Sequence, residues 1–107
     1  MPAPAVTIEE ASAAREAALA VAGVAGLDRG RFGEVCLLFP GGRVEGLRLA
    51  RGSLEVHVVV DVAAARSLYD VADDVRSAVL SVTRLDSVDV IVTDALSRHL
   101  HTPIQGK

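Results

Sequence analysis

The sequence predicts an α+β domain, a two-layer sandwich with two helices packed on one face of a small mixed β-sheet. Three observations predict it. Apolar residues recur at helical spacing in residues 7–22 and 67–85. They alternate with other residues at strand spacing in residues 54–62 and 87–94. Because a helix separates these two strands, they are expected to lie parallel in one sheet, joined by a right-handed crossover. The 107 residues are read as a single domain, residues 1–96, followed by a loosely ordered tail, residues 97–107, which is polar and interrupted by Pro103.

The first helix opens on Thr7 and Glu10, which match a capping box, with Val6 and Ala11 placed as a hydrophobic staple. Its expected buried stripe runs through Ile8, Ala11, Arg15, Leu19 and Ala22. Gly23 follows as the residue past the helix end, where a left-handed backbone costs least. Asp28-Arg29-Gly30-Arg31 reads as a loop, residues 34–39 as a strand, Pro40-Gly41-Gly42 as a tight connection, and residues 43–50 as a second strand with Gly46 as a bulge.

After the Arg51-Gly52-Ser53 turn comes the clearest strand. Leu54, Val56, Val58, Val60 and Val62 point one way; Glu55, His57, Val59 and Asp61 point the other, to a face that is wet or covered by a partner. The second helix carries the strongest period, in Leu68, Val71, Ala72, Val75, Ala78, Val79 and Val82. Ser67 and Asp70 have the spacing of a second capping box, and Asp70, Asp73 and Asp74 lie towards the helix's positive end. The last strand alternates Val88, Val90 and Val92 against Asp89, Ile91 and Thr93.

Composition narrows the function classes. Half the residues are hydrophobic but only 3% are aromatic, so the core is built from Val, Leu, Ile and Ala. The single Cys36 excludes an internal disulfide and a cysteine-rich metal framework. A net charge of −3 argues against a basic phosphate-binding surface. Met1-Pro2-Ala3-Pro4-Ala5 lacks the basic-then-apolar order of a secretory signal. The longest apolar run, residues 17–27, is broken by glycines and falls short of the about 20 residues of a membrane span. The expected location is cytoplasmic.

The order of elements, together with Val21-Ala22-Gly23-Val24-Ala25-Gly26-Leu27, resembles the alkaline shock protein family of bacterial envelope-stress proteins. That signature closes a helix and opens a strand. It is followed by an alternating valine strand, Val56-His57-Val58-Val59-Val60-Asp61-Val62, and, after a helix, by Val88-Asp89-Val90-Ile91-Val92. The chain departs from the family at Ala63-Ala64-Ala65-Arg66, where members often show an acidic-aromatic-glycine turn. The resemblance covers about residues 8–95. It implies a non-enzymatic general stress protein that self-associates as a homo-oligomer and sits at the inner face of the cell membrane through a membrane-anchored partner. It brings no catalytic residue, cofactor or metal.

Four constellations are weighed on their own chemistry. Gly23 and Gly26 have the spacing of the loop by which KH domains grip a nucleic-acid backbone, and Arg29 and Arg31 add charge nearby. The residues between the glycines are Val and Ala, with no aromatic platform, so structural punctuation is the stronger reading and a KH-like nucleic-acid module the alternative. His99 and His101, with His57 as a third, have metal-ligand types but no supporting cysteine or carboxylate spacing. Cys36, His57 and Asp61 are the types of a nucleophile, base and orienting acid; a buried inert thiol and two solvated side chains account for them. Val59 and Ile91 interrupt otherwise polar rows beside His57, marking a candidate self-association or partner surface.

Overall fold

The computed structural model describes residues 6–96. The elements are α1 (Ile8–Leu19), β1 (Val24–Leu27), β2 (Cys36–Phe39), β3 (Gly42–Glu45), β4 (Leu47–Ala50), β5 (Ser53–Asp61), a 3-10 turn (Val62–Ala64), α2 (Leu68–Val82) and β6 (Val88–Leu96). The tail expected at residues 97–107, with His99 and His101, lies outside the described residues.

β5 is the axis of the main sheet. β6 runs parallel to it along one edge, from Leu54 opposite Val88 to Asp61 opposite Leu96. The other edge is shared end to end by two antiparallel strands. β4 pairs with its first half, Leu47 opposite Val56 and Ala50 opposite Ser53; β1 pairs with its second, Leu27 opposite Val58 and Val24 opposite Val60. The mixed sheet and the parallel pair reached through α2 are those the sequence predicts.

Both helices pack on the face that carries Leu54, Val56, Val58 and Val60, all at most 2% exposed. From α2 come Val71, Val75 and Val79, each buried at i, i+4 and i+8. From α1 come Ala11, Ala14 and Ala18. The stripe expected through Ile8, Arg15 and Ala22 is therefore corrected. The helix stops at Leu19 with Ala20 as its cap, which leaves Ala22 outside it, and Ile8 is 36% exposed at its start. Alanines on the buried side let α1 approach its neighbours closely, and a row through Arg15 would not.

Residues 43–50 do not form one strand. Gly46 adopts φ +91°, donates to the Val35 carbonyl at 2.9 Å and accepts from the His57 amide at 2.9 Å. A Cβ there would lie 2.5 Å from the Leu27 Cβ. The chain kinks at this glycine, so β3 leaves with β2 as a separate two-stranded ladder while β4 stays on β5. The inward row of β5 is likewise shorter than expected. The strand ends at Asp61, whose carboxylate accepts from the Ala63 amide at 3.0 Å and opens the 3-10 turn, leaving Val62 56% exposed.

Gly23 is required twice over. Its φ is +98°, and a Cβ would sit 2.8 Å from Val71 Cγ2 on α2. Its carbonyl also accepts the Asp61 amide at 2.8 Å, joining the end of β5 to the turn that precedes β1. The left-handed residue thus lies in the connection after the Ala20 cap rather than directly at the helix end.

The capping box at Thr7 forms, with the Glu10 amide on Thr7 Oγ1 at 3.0 Å and the Thr7 amide on Glu10 Oε1 at 3.3 Å. The same carboxylate accepts the Arg84 backbone amide at 3.0 Å, Nε at 3.1 Å and Nη2 at 3.1 Å, and so ties the start of α1 to the segment after α2. The Arg84 guanidinium, then the Thr7 amide, hold the Glu10 carboxyl down at about 2. At α2 the Ser67 hydroxyl accepts from the Tyr69 amide at 3.1 Å, not from Asp70 as the expected box requires.

Two outcomes follow from these contacts. Gly23→Ala is expected to destabilise the chain by at least about 1–2 kcal/mol, the cost of a left-handed alanine before the Val71 contact is added, as read by urea denaturation. Glu10 titrates near 2 when folded, below its ordinary 4.5, so its contribution is fully present above pH 4.5 and is lost as pH falls towards 2. Glu10→Gln is expected to lower Tm at pH 7 and to flatten the loss of Tm between pH 4.5 and 2.

Candidate functional site

The face of the main sheet turned away from the helices holds the residues that the sequence marks as a surface. Alternation along β5 places Glu55, His57, Val59 and Asp61 there. Glu55 Oε1 is the hub of one group. It accepts from Arg48 Nε at 3.2 Å and Nη2 at 3.0 Å, and lies 3.0 Å from His57 Nε2. The His57 contact first, then Arg48, holds the Glu55 carboxyl below its usual range. Asp28 is the hub of the other group. Its carboxylate accepts from Thr93 Oγ1 at 2.6 Å and from the Gly30 amide at 2.8 Å. These two bonds, with the nearby His57, hold it below its usual range as well.

His57 is on the expected face, but it is not solvated: it is 8% exposed. Its backbone sits at the seam where β1 ends and β4 begins, the N–H bonded to the Gly46 carbonyl at 2.9 Å and the C=O to the Asp28 amide at 2.8 Å.

Val59 and Ile91 lie on neighbouring strands of this face. Ile91 stands opposite His57, and Val59 opposite Asp94, because the register slips by one residue between Val58 and Val59. Ile91 is 37% exposed and Val59 half-buried. On the far side of Val59, in β1, stands Gly26. Its φ is not left-handed, and a Cβ built on it meets nothing within 4 Å. Neither backbone conformation nor crowding requires glycine here, in contrast to Gly23, and the sheet is bare beside Val59. Reading both glycines of the signature as punctuation misses this, since spacing does not distinguish a glycine the fold needs from one it merely tolerates.

The chain was compared with family models, with curated proteins and with solved structures. It matches none of them.

The remaining candidates do not assemble. Gly23 is the last turn residue before β1 and Gly26 lies inside that strand, with Val24 between them 5% exposed and paired with Val60, so they do not frame a loop projecting between helices. Arg29 reaches Glu45 at 3.8 Å, and Arg31 is exposed without an ion pair among the described residues. Cys36 is half-buried rather than buried, on the separate two-stranded ladder opposite Glu45. His57 and Asp61 are four residues apart on β5, about 13 Å at the rise of a strand, and their side chains bond to Glu55 and to the Ala63 amide. Among the described residues no group of three or more His, Cys, Asp or Glu is placed to hold a metal ion. Asp73 and Asp74 pair with Arg76 at 3.5 Å and Arg66 at 2.7 Å. A cleft of about 460 Å³ lies between α1 and β3, lined by Ser12, Arg15, Glu16, Arg43, Val44 and Glu45, a mixture of both charges. No helix among the described residues is long and apolar enough to cross a membrane.

Thr93→Val removes the shortest bond to Asp28 while leaving the volume nearly unchanged. The Asp28 carboxyl is then expected to titrate at higher pH, a shift that carboxyl carbon NMR reads directly.

Proposed function

We propose that this chain is a non-enzymatic interaction protein of the alkaline shock type, cytoplasmic and self-associating, which docks on a membrane-anchored partner during envelope stress. The observation that carries the reading is β6. It spans nine residues at the margin of the main sheet, and its outer edge pairs with nothing among the described residues. Ile91, Val92 and Leu96 are 36–37% exposed along it.

The direction of its amides supports strand addition. The Ser87 carbonyl accepts from the Leu54 amide at 3.2 Å, so the alternation of a strand turns the main-chain groups of Val88, Val90 and Val92 away from β5 and towards the open edge. An edge of this length with free amides and apolar side chains is a template for a further strand. Main-chain hydrogen bonds contribute about 0.5–1.5 kcal/mol each to such an association. Among the described residues no observation favours catalysis or the nucleic-acid alternative.

Light scattering on the size-excluded full chain tests the reading. The wild type is expected to be larger than a monomer. Val92→Pro removes an outward donor at a position where proline is tolerated, and the Val59→Asp/Ile91→Asp pair places charge on the adjoining face; each is expected to reduce the mass without lowering Tm by more than a few degrees. A wild type that is monomeric at every concentration would overturn self-association, and variants that keep its mass would overturn the β6 edge and its adjoining face as the contact. Fractionation of the native host's membranes tests the second part: the chain is expected in the membrane fraction together with a partner, and recovery in the soluble fraction alone would overturn docking.

A further inference from the structure

We propose that the bare spot formed by Gly26, Val59 and Ile91 receives the Phe32 side chain of a second copy, in a two-fold dimer where each copy gives one phenylalanine and accepts the other. The inference rests on the self-association proposed above and names its contact.

The receiving side is defined by Gly26. A glycine that its backbone conformation does not require, with open space where a Cβ would be, leaves room for close approach beside Val59. The rim of the spot is acidic. Asp94 stands opposite Val59; among the described residues its carboxylate accepts only the neighbouring Ala95 amide, and the exposed Asp89 makes no ion pair. The spot therefore fits an apolar group flanked by cations.

The loop leaving β1 presents such a group. Phe32 is 86% exposed, next to Arg31 and close to Arg29. This aromatic is held out by ordered chain. The Gly30 amide bonds to Asp28 at 2.8 Å, the Phe32 amide to Glu34 Oε1 at 2.9 Å, the Gly33 amide to the Gly30 carbonyl at 3.2 Å, and the Val35 amide to the Arg29 carbonyl at 2.9 Å. A preorganised loop loses little entropy when its aromatic is buried by a partner. Tyr69, 87% exposed, is the other large aromatic on the surface, but it sits on α2, which packs on the opposite face of the sheet from the spot.

The root of the loop lies beside the spot. The loop begins at Asp28, which is bonded to Thr93 of β6 and to the backbone of His57 on that same face. One surface therefore carries both halves of the contact, as a two-fold interface requires. An anionic bilayer is the less suited occupant, because Asp28, Glu34, Asp89 and Asp94 are interleaved with Arg29 and Arg31.

Sedimentation of the full chain reads the dimer constant. Phe32→Ala and Gly26→Val are each expected to weaken dimerisation at least tenfold, with Gly26→Val leaving Tm within a few degrees of wild type because a Cβ there meets nothing within 4 Å. Arg31→Glu and Asp94→Lys are each expected to weaken it, and the double variant to restore it, since the swapped charges then meet across the two-fold. If Phe32→Ala leaves the constant unchanged while Val92→Pro weakens association, this contact is overturned and the edge reading stands. If the wild type never associates, both fall. If Phe32→Ala instead abolishes binding to phosphatidylglycerol vesicles while the mass is unaltered, the occupant is a membrane and the proposal is overturned.

Discussion

Both edges of β5 are hydrogen-bonded along their length, one to β6 and the other to β4 and β1 in succession, and the remaining elements are placed by that pairing. A strand bonded on both sides leaves few backbone groups to water, so it tolerates burial, and its inward valines accept α1 and α2 without orphaned amides. The shared edge imposes a further condition. Where β1 stops and β4 starts, the main chain of His57 must find a partner on each side, and it finds them in Gly46 and Asp28. A side chain at position 46 would collide with Leu27 and hold the two strand ends apart.

This seam organises the outer face. It draws His57 out of solvent, and the imidazole then needs a polar neighbour at hydrogen-bond distance, which Glu55 supplies while Arg48 bonds the same oxygen. Asp28, whose amide completes the seam, also anchors Thr93 of β6 and the first turn of the loop that presents Phe32. A single residue, through its carboxylate and its amide, thus couples the edge strand, the loop that carries the exposed aromatic and the central strand. Carboxylates held by such bonds resist protonation, so the Asp28 and Glu55 carboxyls titrate below their usual range. Glu55 with Arg48 and His57, and Asp28 with Thr93, are satisfied within the face, and its apolar residues are what a partner would bury.

The two glycines of the Val21–Leu27 stretch divide the labour of that region. Gly23 permits the chain to turn from α1 into β1 under α2, with a left-handed backbone and no room for a Cβ. Gly26 permits nothing that alanine would forbid, and its effect lies outward, in the surface it leaves uncovered beside Val59.

Periodicity was sufficient for the layers. The alternation in β5 and β6, the valines of α2 and the Thr7–Glu10 box are local patterns, and local backbone geometry alone decides what they become. Periodicity was insufficient wherever a distant element chose among local options. Residues 43–50 alternate well enough for one strand, but Leu27 and His57, far off in sequence, decide that the chain breaks at Gly46. The α1 stripe shifts to Ala11, Ala14 and Ala18 because its neighbours leave space only for methyl groups. In the candidate site, the sequence alone placed His57 and Val59 on the outward row of one strand and Ile91 on that of another, since a strand has a fixed two-residue repeat. Only the tertiary structure buried His57, set Gly26 bare beside Val59 and brought the Phe32 loop next to them, because each depends on which strands share an edge, and edge sharing is decided by long-range hydrogen bonds that no local pattern encodes.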